Sequence, residues 1–145
     1  MENLLFLAVK LKPSFFMQEI KSYCTGLQHI GIPTNDIEET IRFYEGLGFE
    51  LIMRTNNKGE LVAFLQLHNL VIETYQNGAA TLQVGAIDHI AIDVRHIDPL
   101  FEVVKAKGFH LLDEQVNSLP FWENGIKYFT ILGPNKEKIE FCERL

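Results

Sequence analysis

The chain states one pattern twice. Around His29 it reads LQHIGIPTNDIEETIRFYEGLGFELI, and around His89 it reads IDHIAIDVRHIDPLFEVVKAKGFHLL. Superposing the two histidines sets an offset of 60 residues, and no gap is needed through Leu51 and Leu111. The pairs His29/His89, Ile30/Ile90, Ile32/Ile92, Ile37/Ile97, Gly48/Gly108, Phe49/Phe109 and Leu51/Leu111 are identical. Each copy then closes on an apolar run carrying one glutamate, Glu73 in LVIETY and Glu140 in KIEFCE. Whatever local structure one copy adopts, the other should adopt too. At roughly 55 residues neither copy buries enough surface to stand alone, so the two must pack together.

The periodicities within each copy predict its elements. In the first, a strand is expected near Leu27–Ile32. Asn35 or Asp36 then caps a helix whose stripe is Ile37, Ile41 and Tyr44, widened by Phe43 and Leu47. Gly46 and Gly48 end it. A strand at Phe49–Arg54, a turn at Asn56–Gly59 and strands at Leu61–Leu67 and Leu70–Gln76 complete a βαβββ unit. The second copy repeats this order. Its strand lies near Ile87–Val94, and Asp98 caps a helix with Pro99 at its first position. Gly108 stops that helix, and strands follow near Phe109–Asp113, Ile126–Leu132 and Lys138–Cys142, with Pro134-Asn135 turning into the last. The segment Glu114–Gly125 has no counterpart of equal length. Its Leu119, Pro120, Phe121 and Trp122 either plug the core or form a lid over a pocket.

Outside the repeat, residues 1–26 read as an N-terminal extension, with a short helix expected after Pro13. The rest, 27–145, reads as one domain made of modules 27–78 and 86–145. The 145 residues carry a net charge of −6 and no cluster of Lys or Arg, which argues against a nucleic-acid partner. No apolar run is long enough for a bilayer, and the N-terminus lacks the basic start and cleavage site of a secretory signal. The two cysteines, Cys24 and Cys142, form no CxxC and no disulfide framework, which fits a cytoplasmic protein.

The chemistry lies in the repeated His and Glu. Alternate residues of a strand face the same way, so His29 shares a face with Gly31, and His89 with Ala91. Both neighbours are small and leave room beside the imidazole. Glu73 and Glu140 are flanked by Ile72 and Ile139, which point into the apolar layer, so the carboxylates face the opposite side. A carboxylate held there needs a proton, a partner or a metal. Two neutral imidazoles and two carboxylates balance one divalent cation, and mixed N/O ligation suits Ni, Co, Zn, Mn or Fe. A structural histidine has no reason to recur at one position in both copies with a glutamate recurring at the far edge. The quartet His29, Glu73, His89 and Glu140 is therefore the candidate metal site. His68, His96 and His110 have no such partners and read as surface or loop residues.

The patterns HIGI, FYEGLGFEL, HIAI and GIKYFTILGPNKEKIEFCE resemble the vicinal oxygen chelate (VOC) superfamily, which includes glyoxalase I, methylmalonyl-CoA epimerase, fosfomycin-resistance proteins, extradiol dioxygenases and bleomycin-binding proteins. The resemblance covers residues 27–143. It implies an α+β fold in which two tandem βαβββ modules form a curved, mostly antiparallel sheet around a metal site, built within a chain or across a homodimer. The His–Glu–His–Glu set is most similar to glyoxalase I, and by that resemblance His29, Glu73, His89 and Glu140 are the ligands. The implied activity is a lyase or isomerase reaction. A C–H proton is removed from the hemithioacetal of a 2-oxoaldehyde, or a similar small oxygenated substrate, and the enediolate is stabilised by the metal. Glu140 is then the general base, with Glu73 the other candidate. Asn77 matches a family position four residues after the first-module glutamate, and Tyr75, Tyr128 and Thr130 are candidate pocket residues. Pro33 stands where glutathione-using members carry Arg. It has no charge or donor, which leaves another thiol adduct or an unrelated oxygenated substrate open. The alternatives within the resemblance are an epimerase of methylmalonyl-CoA type and a non-catalytic binder of a small molecule such as an antibiotic.

Overall fold

The computed structural model of the chain describes residues 23–145. The helix expected after Pro13 falls outside the described residues. The first module runs β1 (Ile30–Thr34), α1 (Ile37–Gly46), β2 (Glu50–Asn57), β3 (Glu60–Leu67) and β4 (Leu70–Gln76). The second runs β5 (His89–Asp93), α2 (Ile97–Ala106), β6 (His110–Leu111), β7 (Asn117–Leu119), β8 (Ile126–Leu132) and β9 (Lys138–Arg144). Each module forms its own open, mixed sheet. The strand orders are β1-β4-β3-β2 and β5-β9-β8-β6, with β7 also on β8. In both, the first strand lies parallel to the last and the other pairings are antiparallel.

The helices stop by one mechanism. Gly48 and Gly108 take φ of +98° and +79°, a region open mainly to glycine. The amides that follow then fold back, Phe49 N–H to the Tyr44 carbonyl at 3.0 Å and Phe109 N–H to the Val104 carbonyl at 3.4 Å. The helix starts differ. Asp36 caps α1 through Oδ1, which accepts from the Glu39 amide at 2.9 Å. At α2 the expectation is corrected: the cap position is His96, not Asp98, and Pro99 is the third helical residue, two positions beyond its usual first place but still within the first turn. His96 makes no side-chain cap. The Glu143 carboxylate, brought in from β9, instead accepts from the His96 and Ile97 amides at 2.9 and 3.0 Å. Gln76 at the end of β4 does the same for Ile37 at 2.9 Å.

Both modules contribute to one cluster of buried apolar residues, but they fill it from opposite sides. In the first module the sheet offers small groups, Ala63 and Thr74, and the helix supplies the bulk with Tyr44. In the second the sheet supplies Phe129 and Phe141, and the helix position matching Tyr44 is Val104. Burying each Ile or Phe contributes about 1.5–3 kcal/mol. The junction between modules is partly polar. Tyr44 donates to Glu137 Oε1 at 3.0 Å, the Asn135 amide donates to Glu137 Oε2 at 2.8 Å, and Asn135 Nδ2 donates to Thr40 Oγ1 at 3.1 Å. Burial raises the pKa of the Glu137 carboxyl, and these donors pull it back. A Cβ at Gly133 would overlap the Glu137 carboxylate, so that glycine lets the group lie where it does.

The long segment of the second module holds an enlarged bulge, the short strand β7 and a longer turn into β8. The β2–β3 register slips between Leu51 and Met53. In the second copy the register on β8 slips at the matching place, between β6 and β7. Asp113 bridges the gap: Oδ2 accepts from the Thr130 amide at 2.7 Å and Oδ1 from Asn117 Nδ2 at 2.9 Å.

Candidate metal centre

The strand pairings carry each histidine to its glutamate. Gly31 lies opposite Glu73 across β1 and β4, and Ala91 lies opposite Glu140 across β5 and β9. Each histidine is two residues earlier on the same face. Ile72 and Ile139 are almost fully buried beneath, so the glutamates look out from the helix-free face of their sheets. A Cβ at Gly31 would sit in ordinary contact, 3.7 Å from Glu73 Oε2 and 3.5 Å from Tyr75 Cε1, so the position tolerates an alanine like Ala91 but little more.

His29 Nε2 lies 3.0 Å from Glu73 Oε2, and His89 Nε2 lies 4.0 Å from Glu140 Oε2. The other ring nitrogen is engaged in both cases. His29 Nδ1 meets Gln28 Oε1, and His89 Nδ1 meets Asp88 Oδ2 at 3.1 Å. A neutral imidazole that donates from Nδ1 has only a lone pair on Nε2. A lone pair facing a carboxylate repels it unless a proton or a cation lies between. Anchoring of one ring nitrogen by a side-chain oxygen is also how metal-bound histidines are oriented.

The four residues therefore form two pairs, one in each module. Among the described residues no group of three or more His, Cys, Asp or Glu side chains comes together to hold an ion. Immediately before the two histidine strands stand Leu27 and Ile87, equivalent apolar residues that are 73% and 74% exposed.

The surroundings of the pairs differ. Across from Glu73 stands Phe64, whose ring edge meets His29 at 5.8 Å between centroids. Across from Glu140 stands Thr130. A cavity of 530 Å³ opens over the second pair, lined by His89, Glu140, Tyr128, Thr130, Lys138 and Phe121 among others. The Thr130 amide is committed to Asp113, and Thr130 and Tyr128 line the cavity side by side on β8. Tyr75 packs beside Gly31 and Glu73, whereas the Asn77 amide oxygen accepts from the Ala79 amide at 2.9 Å and closes a turn. The loop residues Phe121 and Trp122 are more than half exposed, so they do not plug the core. Phe121 walls the cavity, while Trp122 turns outward under Arg144, 4.6 Å from its ring centroid. Burial, aided by Glu140 and Asp93, raises the Cys142 thiol pKa.

Sequence reasoning missed Asp88, Lys138 and Asp113. Lys138 Nζ reaches Asp88 Oδ1 at 2.9 Å, so a cation stands behind the carboxylate that holds His89. The available signal was position: Asp88 directly precedes a candidate ligand, and Lys138 lies two residues before another.

The matches to known proteins agree with this architecture. The family model for the glyoxalase/bleomycin resistance protein/dioxygenase superfamily matches residues 26–117. The chain is 36% identical over 126 residues to the uncharacterized protein YwbC of Bacillus subtilis (strain 168), covering 81% of this chain and 97% of that one. A glyoxalase family protein from Enterococcus faecalis superposes with a TM-score of 0.69 at 21% identity, covering 83% of this chain and 99% of the other. FosX, a fosfomycin resistance protein from Listeria monocytogenes solved with Mn(II) and sulfate, superposes with a TM-score of 0.65 at 20% identity, covering 84% and 94%. At that identity the structural likeness speaks for the fold. The fold is thus α+β with two open mixed sheets, and no helix among the described residues is long and apolar enough to cross a membrane. On the family match and the relative together, the chain belongs to the glyoxalase/bleomycin resistance protein/dioxygenase (VOC) superfamily.

Proposed function

We propose that this protein is a divalent-metal-dependent lyase or isomerase of glyoxalase I type. Its substrate is the hemithioacetal of a 2-oxoaldehyde or a similar small oxygenated compound. The observation that carries this reading is the repeated aim of Nε2 at a glutamate with Nδ1 tied to its neighbour. Both imidazoles are presented as ligands, and the two carboxylates match the charge of one divalent ion. His29, Glu73, His89 and Glu140 would hold Ni, Co, Zn, Mn or Fe. Because the pairs stay apart within one chain, the centre is completed in a homodimer, by the first-module pair of one chain and the second-module pair of another. Exposed Leu27 and Ile87 beside both histidines support a partner surface there.

When bound, the cation supplies Lewis-acid stabilisation of charge developing on the substrate oxygens. Glu140 removes the C–H proton and returns it to the neighbouring carbon, which turns a hemithioacetal into a 2-hydroxy thioester. The Tyr128 and Thr130 hydroxyls hold the substrate's oxygens, and Phe121 shields the reacting carbon from water. A cytoplasmic setting fits a chain with two cysteines and no disulfide framework.

The test is metal analysis of the purified protein, then turnover of 2-oxoaldehydes with several low-molecular-weight thiols. One ion bound per chain, loss of that ion in His29→Ala, and turnover of at least one adduct are expected. A second reading, a non-catalytic small-molecule binder, draws on the separation of the two pairs and the open cavity. It gains if the protein takes up no divalent ion and processes no adduct.

A further inference from the structure

Among the described residues, the second-module cavity contains three carboxylates, Asp88, Asp113 and Glu140, and one ammonium, Lys138. Their commitments differ. Both Asp113 oxygens accept hydrogen bonds that close the bulge, at 2.7 and 2.9 Å. Asp88 gives one oxygen to His89 Nδ1 at 3.1 Å and the other to Lys138 Nζ at 2.9 Å. The cavity's one cation is thereby neutralised by a residue that the metal reading already needs beside His89. What faces a ligand is then the Glu140 carboxylate, the Tyr128 and Thr130 hydroxyls, and an apolar wall of Leu112, Leu119, Phe121 and Ile126.

We propose that Asp88 determines specificity by charge. Its hold on Lys138 leaves the cavity without a free cation and restricts it to uncharged, partly apolar vicinal-oxygen compounds. The inference rests on the helix-free face of the second module being the ligand site. A bound divalent cation adds two positive charges, which Glu73 and Glu140 match in number, so the state of Lys138 decides whether an anionic ligand meets a further cation in the cavity. A phosphonate, a phosphate ester or a thiol adduct rich in carboxylates would have to displace Asp88 from Lys138. A neutral diol or hydroxyketone with an apolar substituent meets hydroxyls at one end and Phe121 at the other. In the first module the residue before the histidine is Gln28, which is uncharged, and the position matching Lys138 is Val71, so the arrangement belongs to one half only.

The test uses two vicinal diols, styrene glycol, which is uncharged, and dihydroxypropylphosphonate, which is anionic. Both are titrated calorimetrically into the full chain, metal-free and after Mn(II) loading, with a prior Mn(II) titration read separately. Tighter binding of styrene glycol by the metal-free chain is expected. Asp88→Asn keeps an acceptor for His89 Nδ1 but frees Lys138, and should shift the affinity ratio toward the phosphonate by about fivefold, since a half-exposed ion pair is screened. Adding Lys138→Gln to that variant should cancel the shift. An unchanged ratio in Asp88→Asn, a wild-type metal-free preference for the phosphonate, or failure of both diols to bind overturns the proposal. If Mn(II) fails to bind while the ratio shifts as expected, the metal reading falls and the charge assignment stands.

Discussion

The two modules share one plan and spend it differently. In the first, bulk sits on the helix as Tyr44 above Ala63 and Thr74, and the helix-free face is crowded by Phe64 and Tyr75 around a close His29–Glu73 pair. In the second, bulk sits in the sheet as Phe129 and Phe141 below Val104, and the helix-free face opens into a cavity over a looser His89–Glu140 pair. The turn between β7 and β8, beyond the enlarged bulge, brings Phe121 to the rim of that cavity. On the function proposed above, the duplicated scaffold would keep a symmetric donor set and reserve one half for the substrate. The lesson is that the symmetry of the donors and the asymmetry of their surroundings answer different questions, the first about the ion and the second about the ligand.

The sharpest way to break this division is to exchange the two glutamates' roles. Glu140→Gln should lower turnover by about 10²–10⁴-fold, the usual range for loss of a general base. Glu73→Gln, on the crowded side, should weaken metal retention more than it lowers turnover of the loaded protein. Steady-state kinetics beside metal titration of both variants separates the effects. Equal losses from both would mean that the open cavity does not mark the reacting side.

Packing gives the next largest effect. Phe129 is fully buried and meets Phe101 and Phe141 with centroids 5.1 and 4.9 Å away. Phe129→Ala leaves a cavity that Val104 cannot fill, and should cost about 3–5 kcal/mol. The matching first-module residue is already Ala63, with Tyr44 filling the space. Chemical denaturation of the variant measures the cost. Below that lies Thr74, whose buried hydroxyl has no hydrogen-bond partner. Its counterpart in the second module is Phe141, an apolar group. Thr74→Val keeps the shape and removes the orphan oxygen, so it should raise stability by about 1 kcal/mol. A loss of stability would mean that the hydroxyl has a partner in solution.

Much of this was legible in the duplicated sequence. The offset between His29 and His89, the two glycine stops and the isolated glutamates required only local pattern and strand alternation. What escaped depends on contacts between distant residues. A rule that looks a few residues ahead finds Asp36 as a cap, and it errs at Asp98 because the acceptor for α2 is Glu143, far along the chain. The reading of Glu114–Gly125 as a plain loop missed β7, because three residues of strand following a bulge leave no alternation to read. The distance between the two His–Glu pairs was likewise illegible. Pattern reports which residues are equivalent, and it carries no information on whether equivalent residues of one chain meet.

That long-range cap yields the smallest effect and the finest contrast. Gln76 and Glu143 occupy matching places, three residues after Glu73 and Glu140, and each receives amides at its own helix start. Only Glu143 carries charge. The Ile97 and His96 amides lower its pKa, so the folded value lies below the unfolded one. Its contribution is therefore fully present above the unfolded value, about 4.3, and is lost as pH falls through the depressed folded value. Glu143→Gln imitates the first module, where the acceptor supplied by the last strand, Gln76, has no proton to gain. The variant should melt below wild type at neutral pH, and the gap should close as the pH falls through the lowered folded value. Glu137, with its raised pKa, works in the opposite sense over part of this range, and it cancels because both proteins carry it. A melting gap that stays constant from neutral to acid pH would show that α2 responds to the shape of the Glu143 side chain and not to its charge.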